Sequence, residues 1–229
     1  MSTNSSFAKF LRFIGIVLMA LTGGFTLLGG VGTTCAALFP AKYDSMAALA
    51  PFQWLYILFV LIGIALGVMG IRATIMLIKG ADNGYRDALY TLLAGAVIGF
   101  MHIMVSRSLR GSSMPVDAVV YTNVLTLVIF LLFKIPAIWQ GVDFAKAKAN
   151  QNKPAAGASA ILLGIMTLTI QYAMASTHTW DGVNYADVFN ASMTGIGLAL
   201  MALGVMVFIL WKAIRQSRRD GMIVEHNVE

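Results

Sequence analysis

The chain has 229 residues, of which 59% are hydrophobic and only 11% charged, with a mean hydropathy of +0.79. Soluble domains carry about 25% charged residues, so this composition excludes a water-facing globular surface and points to one membrane-embedded domain. The formal charge of +6 would suit nucleic acid if it formed a patch, but the basic residues sit at the ends of apolar runs, where phospholipid headgroups are the partner.

A hydrocarbon core about 30 Å thick takes roughly 20 apolar residues of helix to cross, and six such runs follow one another along the chain. The first, 10–38, is longer than one straight span requires. Its Gly23-Gly24 and Gly29-Gly30 pairs predict a tilt, a kink or a non-helical end before Pro40. Lys9 and Arg12 ahead of an apolar stretch also fit a secretory signal, but the stretch exceeds the usual length of about 7–15 residues, which favours an uncleaved span. The second run is 52–78 and the third 87–105. The fourth, 116–138, is interrupted near its end by Lys134 and Pro136. The fifth is 156–175 and the sixth 188–211. Continuous runs lack the period-two pattern of barrel strands, whereas helices satisfy their own backbone hydrogen bonds in lipid. The fold class is therefore all-α: a polytopic integral membrane helix bundle of about six transmembrane helices, filling the single domain 1–229.

Orientation follows from charge. With both termini inside (N-in/C-in), thirteen of the sixteen basic residues fall on the inner face: Lys9, Arg12, Arg72, Lys79, Arg86, Lys134, Lys146, Lys148, Lys153, Lys212, Arg215, Arg218 and Arg219. Only Lys42, Arg107 and Arg110 fall outside, in keeping with the positive-inside rule. The outer connection 176–187 carries Asp181 and Asp187 but no Lys or Arg. Trp54, Tyr56, Trp139, Trp180 and Trp211 fall at headgroup depth, as interfacial anchors do.

Helices in lipid associate through close packing, which small residues one turn apart allow. Gly63 and Gly67 supply such a pair in the second run, with Gly70 extending it, and Gly95 and Gly99 do so in the third. Ala160 with Gly164, and Gly195 with Ala199, do so in the fifth and sixth. These stripes predict either a compact bundle or a sliding or dimer seam. The fourteen methionines form no metal-like cluster and read as packing. A faint likeness between 63–70 and 197–204 falls short of a repeat.

Polar groups within a membrane are costly and each merits weighing. Arg72 and Lys134 either snorkel to inner headgroups or turn inward to pair. His102, Arg107, Arg110 and Asp117 cluster at the outer end of the third and fourth runs, with Ser112 and Ser113 between them. They predict either a hairpin-closing ion pair or an anion or proton site with His102 as the titrating group. Tyr121, Thr122, Asn123 and Thr126 make the outer half of the fourth run polar, enough to line a small cavity or to bond a neighbouring helix. A b-type haem needs two axial histidines; only His102 and His178 lie toward the outer face, and His178 in a polar loop is poorly placed. Cys35 is the single cysteine, so it forms no intramolecular disulfide and gives no redox or zinc framework. Metalloprotease, Walker A and Gly-x-Ser-x-Gly signatures are absent. Gly157-Ala158-Ser159-Ala160 is only a fragment of the last.

No catalytic residue, metal or cofactor is assigned on these grounds. The expected partners are membrane lipids, with other membrane subunits or self-association open and nucleic acid excluded. The expected setting is a cell (inner) membrane. Two functional classes remain: a non-catalytic accessory or structural subunit or small transporter-like protein, and alternatively a membrane enzyme or redox subunit acting at the outer-face cluster. A transporter needs a polar site near mid-bilayer, and the placement of the cluster near the outer leaflet tilts the balance toward an accessory role.

Overall fold

The computed structural model describes residues 2–42, 44–147, 149–174, 178–180 and 182–226. Lys148, Ala175, Ser176 and Asp181 lie outside the described residues, as do the side chains of Trp180, Arg218 and Arg219. Six helices among the described residues are long and apolar enough to cross a membrane. The chain is an all-α membrane bundle. Its ends are named inner and outer by the charge rule above.

Helix α1 (Ser6–Gly32) starts behind Ser5, whose hydroxyl accepts the Ala8 N–H at 3.2 Å. At the glycine pairs, where a tilt, kink or non-helical end is expected, the helix itself continues through both. It ends at Thr33, whose hydroxyl donates to the Gly29 carbonyl at 2.8 Å, and a short α2 (Thr34–Leu38) follows. Two 3-10 turns, Pro40–Lys42 and Asp44–Phe52, lead into α3 (Gln53–Lys79). Gly80 and Gly111, both at φ 69°, close α3 and α4 (Gly84–Arg110). Only glycine takes that left-handed conformation without steric cost. Helix α4 is longer than its apolar run, because Asp87 near its start and Arg107 and Arg110 in its last turn complement the helix dipole.

Helix α5 (Val116–Phe133) is shorter than expected. It stops before Lys134, and Pro136 opens a separate helix, α6 (Pro136–Val142), since proline lacks the N–H that continuation would need. Helix α7 (Ala149–Met174) follows. The outer connection holds a two-stranded antiparallel ribbon, β1 (Thr179–Trp180) and β2 (Val183–Asn184), and a single turn, α8 (Tyr185–Val188). Helix α9 (Asn190–His226) ends the described chain and outlasts its apolar run by continuing beyond the inner face.

Helix α1 is the hub and packs against α3, α5 and α7; α4 packs against α3 and α5, and α9 packs chiefly on α7. Glycines set these approaches. A Cβ on Gly67 would lie 2.6 Å from the Leu27 backbone, and one on Gly70 would lie 2.8 Å from Gly23 Cα. The glycine pairs of α1 are therefore the counterpart of the α3 stripe. In α9 the contact stripe is Gly197 and Gly204, which face Gly164 and Gly157 of α7. Gly195, expected to pack, meets nothing within 4 Å.

The inner half is filled by Tyr85, Phe130, Phe133 and Phe144, with Leu77 and Leu92. The Tyr85 hydroxyl donates to the Phe130 carbonyl. Lys134 lies exposed with its ammonium over the rings of Tyr85 (5.0 Å) and Trp139 (4.8 Å). Two residues expected at the lipid boundary are buried instead. Tyr56 bonds Ser106 across the α3–α4 seam at 2.8 Å; Trp54 is two positions away, about 200° around the helix, and it alone of the two faces lipid. Arg12, 1% exposed, donates to Gly141 O at 2.7 Å, Thr3 O at 2.9 Å and Gln151 Oε1 at 2.9 Å. It ties the N-terminal segment to α6 and to the first turn of α7.

A candidate cavity between the first four spans

Gly95 and Gly99 of α4 let α5 approach closely: a Cβ on Gly99 would come within 2.4 Å of Val120 Cγ2, and one on Gly95 within 2.4 Å of Asn123 Nδ2. On the opposite wall, Gly29 and Gly30 of α1 and Gly63 of α3 likewise carry no side chain. Where these four helices meet, a cavity of about 80 Å³ remains. It extends from Gly95, Asn123, Leu66 and Thr26, near the middles of their helices, to Thr33, His102, Pro115 and Val116 toward the outer end. Beneath it, Thr22 and Thr126 join α1 to α5 at 2.7 Å, and the aromatic layer closes the inner half.

Most of the lining is apolar, so its few polar groups define the chemistry. Asn123 is 5% exposed, and its carboxamide has no hydrogen-bond partner among the described residues. Its helix neighbours are satisfied by contrast: Thr122 donates to Ala118 O, and Thr126 to Thr122 O. His102 stacks on Phe59, with ring centroids 4.4 Å apart and planes 10° apart, and meets Tyr56 edge-on at 5.4 Å. These contacts hold the ring by its faces. Among the described residues neither of its nitrogens has a hydrogen-bond partner. Thr26 and Thr33 donate their protons to carbonyls of their own helix, Thr22 O at 2.7 Å and Gly29 O at 2.8 Å. Toward the cavity their oxygens can only accept.

Of the two arrangements open to the outer cluster, the hairpin-closing ion pair is the one formed. Arg107 donates through Nη2 to Asp117 Oδ1 at 2.9 Å and through Nε to Ser113 Oγ at 2.9 Å, while Ser113 donates to the carboxylate at 2.7 Å. Arg110 donates to Met114 O at 2.6 Å. These contacts fasten the α4–α5 turn, and the charges also suit the dipoles of the two helix ends they occupy. His102 makes no hydrogen bond or ion pair with them among the described residues; it faces the cavity. Comparison with protein-family models, curated proteins and solved structures finds no match.

Other sequence candidates separate by face. Gly63, Gly95, Gly99 and Asn123 line the cavity, whereas Gly67 lies in the α1–α3 contact. Tyr121, expected beside Asn123, is 58% exposed and stands next to Arg107 on the outer rim. Arg72 is exposed on α3 with no hydrogen bond or ion pair among the described residues. His178 donates from Nε2 to Gly32 O at 3.1 Å, so it tethers the outer connection to the end of α1. Sequence reasoning passed over Thr26, Thr33, Phe59 and Leu66. The threonines of α1 were a readable signal, since Thr22, Thr26 and Thr33 recur at spacings that share a helix face. None of the residues lining the cavity is Asp, Glu, Lys or Arg, so the site offers hydrogen bonds without a fixed charge.

Proposed function

We propose that the protein is a small transporter-like bundle of a cell (inner) membrane whose solute site is the cavity between α1, α3, α4 and α5. The observation that carries this reading is the unpartnered carboxamide of Asn123, well over nine-tenths buried within a spanning helix. An unsatisfied buried amide costs about 1–3 kcal/mol, and a solute or water in the cavity would recover that energy. Its depth also matters. Asn123 lies seven residues into α5, about 10 Å along the axis at 1.5 Å per residue, close to where transporters hold their substrates. The tilt toward an accessory role rested on polar groups lying near the outer leaflet, and Asn123 is not among those.

The enzyme alternative gains less support. Arg107 and Ser113 already occupy the oxygens of Asp117, leaving no free base at the outer cluster. An accessory role draws on α9, of whose apolar window only 11% is buried, although lipid covers such a face equally well.

The test is uptake into proteoliposomes from a panel of small solutes. Wild-type protein is expected to accelerate entry of at least one solute about tenfold over protein-free vesicles, and Asn123→Leu to abolish the gain with helicity unchanged. A folded Asn123→Leu variant that transports as well as wild type would remove the cavity from the mechanism.

A further inference from the structure

The transport reading leaves the solute open, and the cavity's own atoms narrow it. The inference below rests on that reading. Three features decide the class of ligand: charge, size and the pattern of donors and acceptors.

Charge comes first. No lining residue carries a formal charge, and an ion in such a place would lose its hydration without a counter-charge, at a cost of several kcal/mol. The charged groups nearby are committed elsewhere. Arg107 and Asp117 pair with each other, and Arg110 is bound to Met114 O. One atom departs from this pattern: Arg110 Nε is buried without a partner, outside the lining and two turns beyond His102. It makes an anion the rival that the experiment must address.

Size comes next. An apolar cavity of about 150 Å³ holds benzene, so about 80 Å³ suits a molecule of roughly three to five non-hydrogen atoms.

The hydrogen-bond pattern then selects among small neutral molecules. Asn123 presents a C=O acceptor and an NH₂ donor side by side, and imidazole in its neutral form offers one of each. Thr26 and Thr33 offer acceptors alone, their protons being used within α1. The complement is a molecule with several N–H donors and one strong carbonyl acceptor, carrying no charge. We infer that the cavity is a site for a small neutral amide of the urea or formamide class. Its carbonyl is received by the Asn123 NH₂, and its N–H groups by the Asn123 carbonyl and the Thr26 oxygen, while His102 and Thr33 lie about two turns further out.

Shape-matched solutes separate charge from size. Urea and guanidinium have the same planar, four-heavy-atom frame, and formamide and formate share a three-atom frame. In proteoliposomes followed by stopped-flow light scattering or isotope uptake, urea and formamide are expected to enter about tenfold faster than into protein-free vesicles. Guanidinium, formate and the larger neutral solute mannitol should enter at the background rate. Thr26→Val replaces a hydroxyl already bonded within its own helix, so it leaves the fold intact; it is expected to slow urea entry severalfold, and Asn123→Leu to abolish it. Asn123-dependent entry of guanidinium, formate or mannitol without urea or formamide would overturn the amide assignment while leaving transport standing. Formate entry lost in Arg110→Gln would assign the site to anions instead. Entry of no solute that depends on Asn123 or Thr26 would remove the transport reading and the amide assignment together.

Discussion

Gly63 and Gly67 are one helical turn apart in α3 and look equivalent in sequence, yet adding one methyl group to each should have opposite consequences. At Gly67 the new carbon would stand 2.6 Å from both the N and the Cα of Leu27 and 2.7 Å from its Cβ. Carbon atoms rest at about 3.5–4.0 Å, and the obstacle is the backbone of α1, which no rotamer change can move aside. The helices must part by about 1 Å, and a gap of that order forfeits roughly a quarter to a half of each dispersion contact along the seam. Overpacking of this kind costs about 1–3 kcal/mol. At Gly63 the nearest atom would be Gly30 Cα at 3.8 Å, an ordinary contact, and the only other change is the helix propensity gained on replacing glycine by alanine, about 0.8–1 kcal/mol. Both substitutions gain that propensity, so the clash alone separates them: Gly63→Ala should match or exceed wild type, and Gly67→Ala should unfold before it by about 1–3 kcal/mol. Titration of purified protein from mild detergent into SDS, followed by far-ultraviolet circular dichroism, measures the difference. Equal midpoints for the two variants would refute the close α1–α3 crossing.

Two further outcomes test the polar ties. Arg12→Leu leaves the carbonyls of Gly141 and Thr3 and the Gln151 amide without their donor, and a buried acceptor left unsatisfied costs about 1–3 kcal/mol; the same SDS titration should show it, with earlier protease cleavage in the 143–148 connection. Wild-type stability in that variant would mean that the inner end does not depend on this tie. Asp117→Asn should lower stability by about 1–2 kcal/mol, and reversing the pair in Arg107→Asp with Asp117→Arg should recover part of what either reversal loses alone. No coupling in that double-mutant cycle would argue against the ion pair as the fastener of the α4–α5 turn.

Much of this molecule was fixed by local chemistry that reads directly from the chain. Six apolar runs, few charges and an uneven distribution of Lys and Arg determine a membrane bundle, because lipid admits only segments that satisfy their own backbone bonds. Local signals also mark the helix ends: Gly80 and Gly111 close helices, Pro136 opens one, and Arg107 with Asp117 suits the dipoles at the turn. Which face of each helix turns inward was not legible, since helices apolar on all sides give no amphipathic stripe to orient them. Hence Arg12 and Tyr56 read as boundary residues and prove buried, Tyr121 could line a cavity or bond a neighbouring helix and stands exposed beside Arg107 of α4, and the α9 contact falls on Gly197 and Gly204, away from Gly195. The cavity is the clearest case. Gly63, Gly95, Gly99, His102 and Asn123 could each be picked out as unusual from the sequence, but they come from three helices. Only the packing of those helices around α1 shows that they border one cavity, which lies against an amide with no partner.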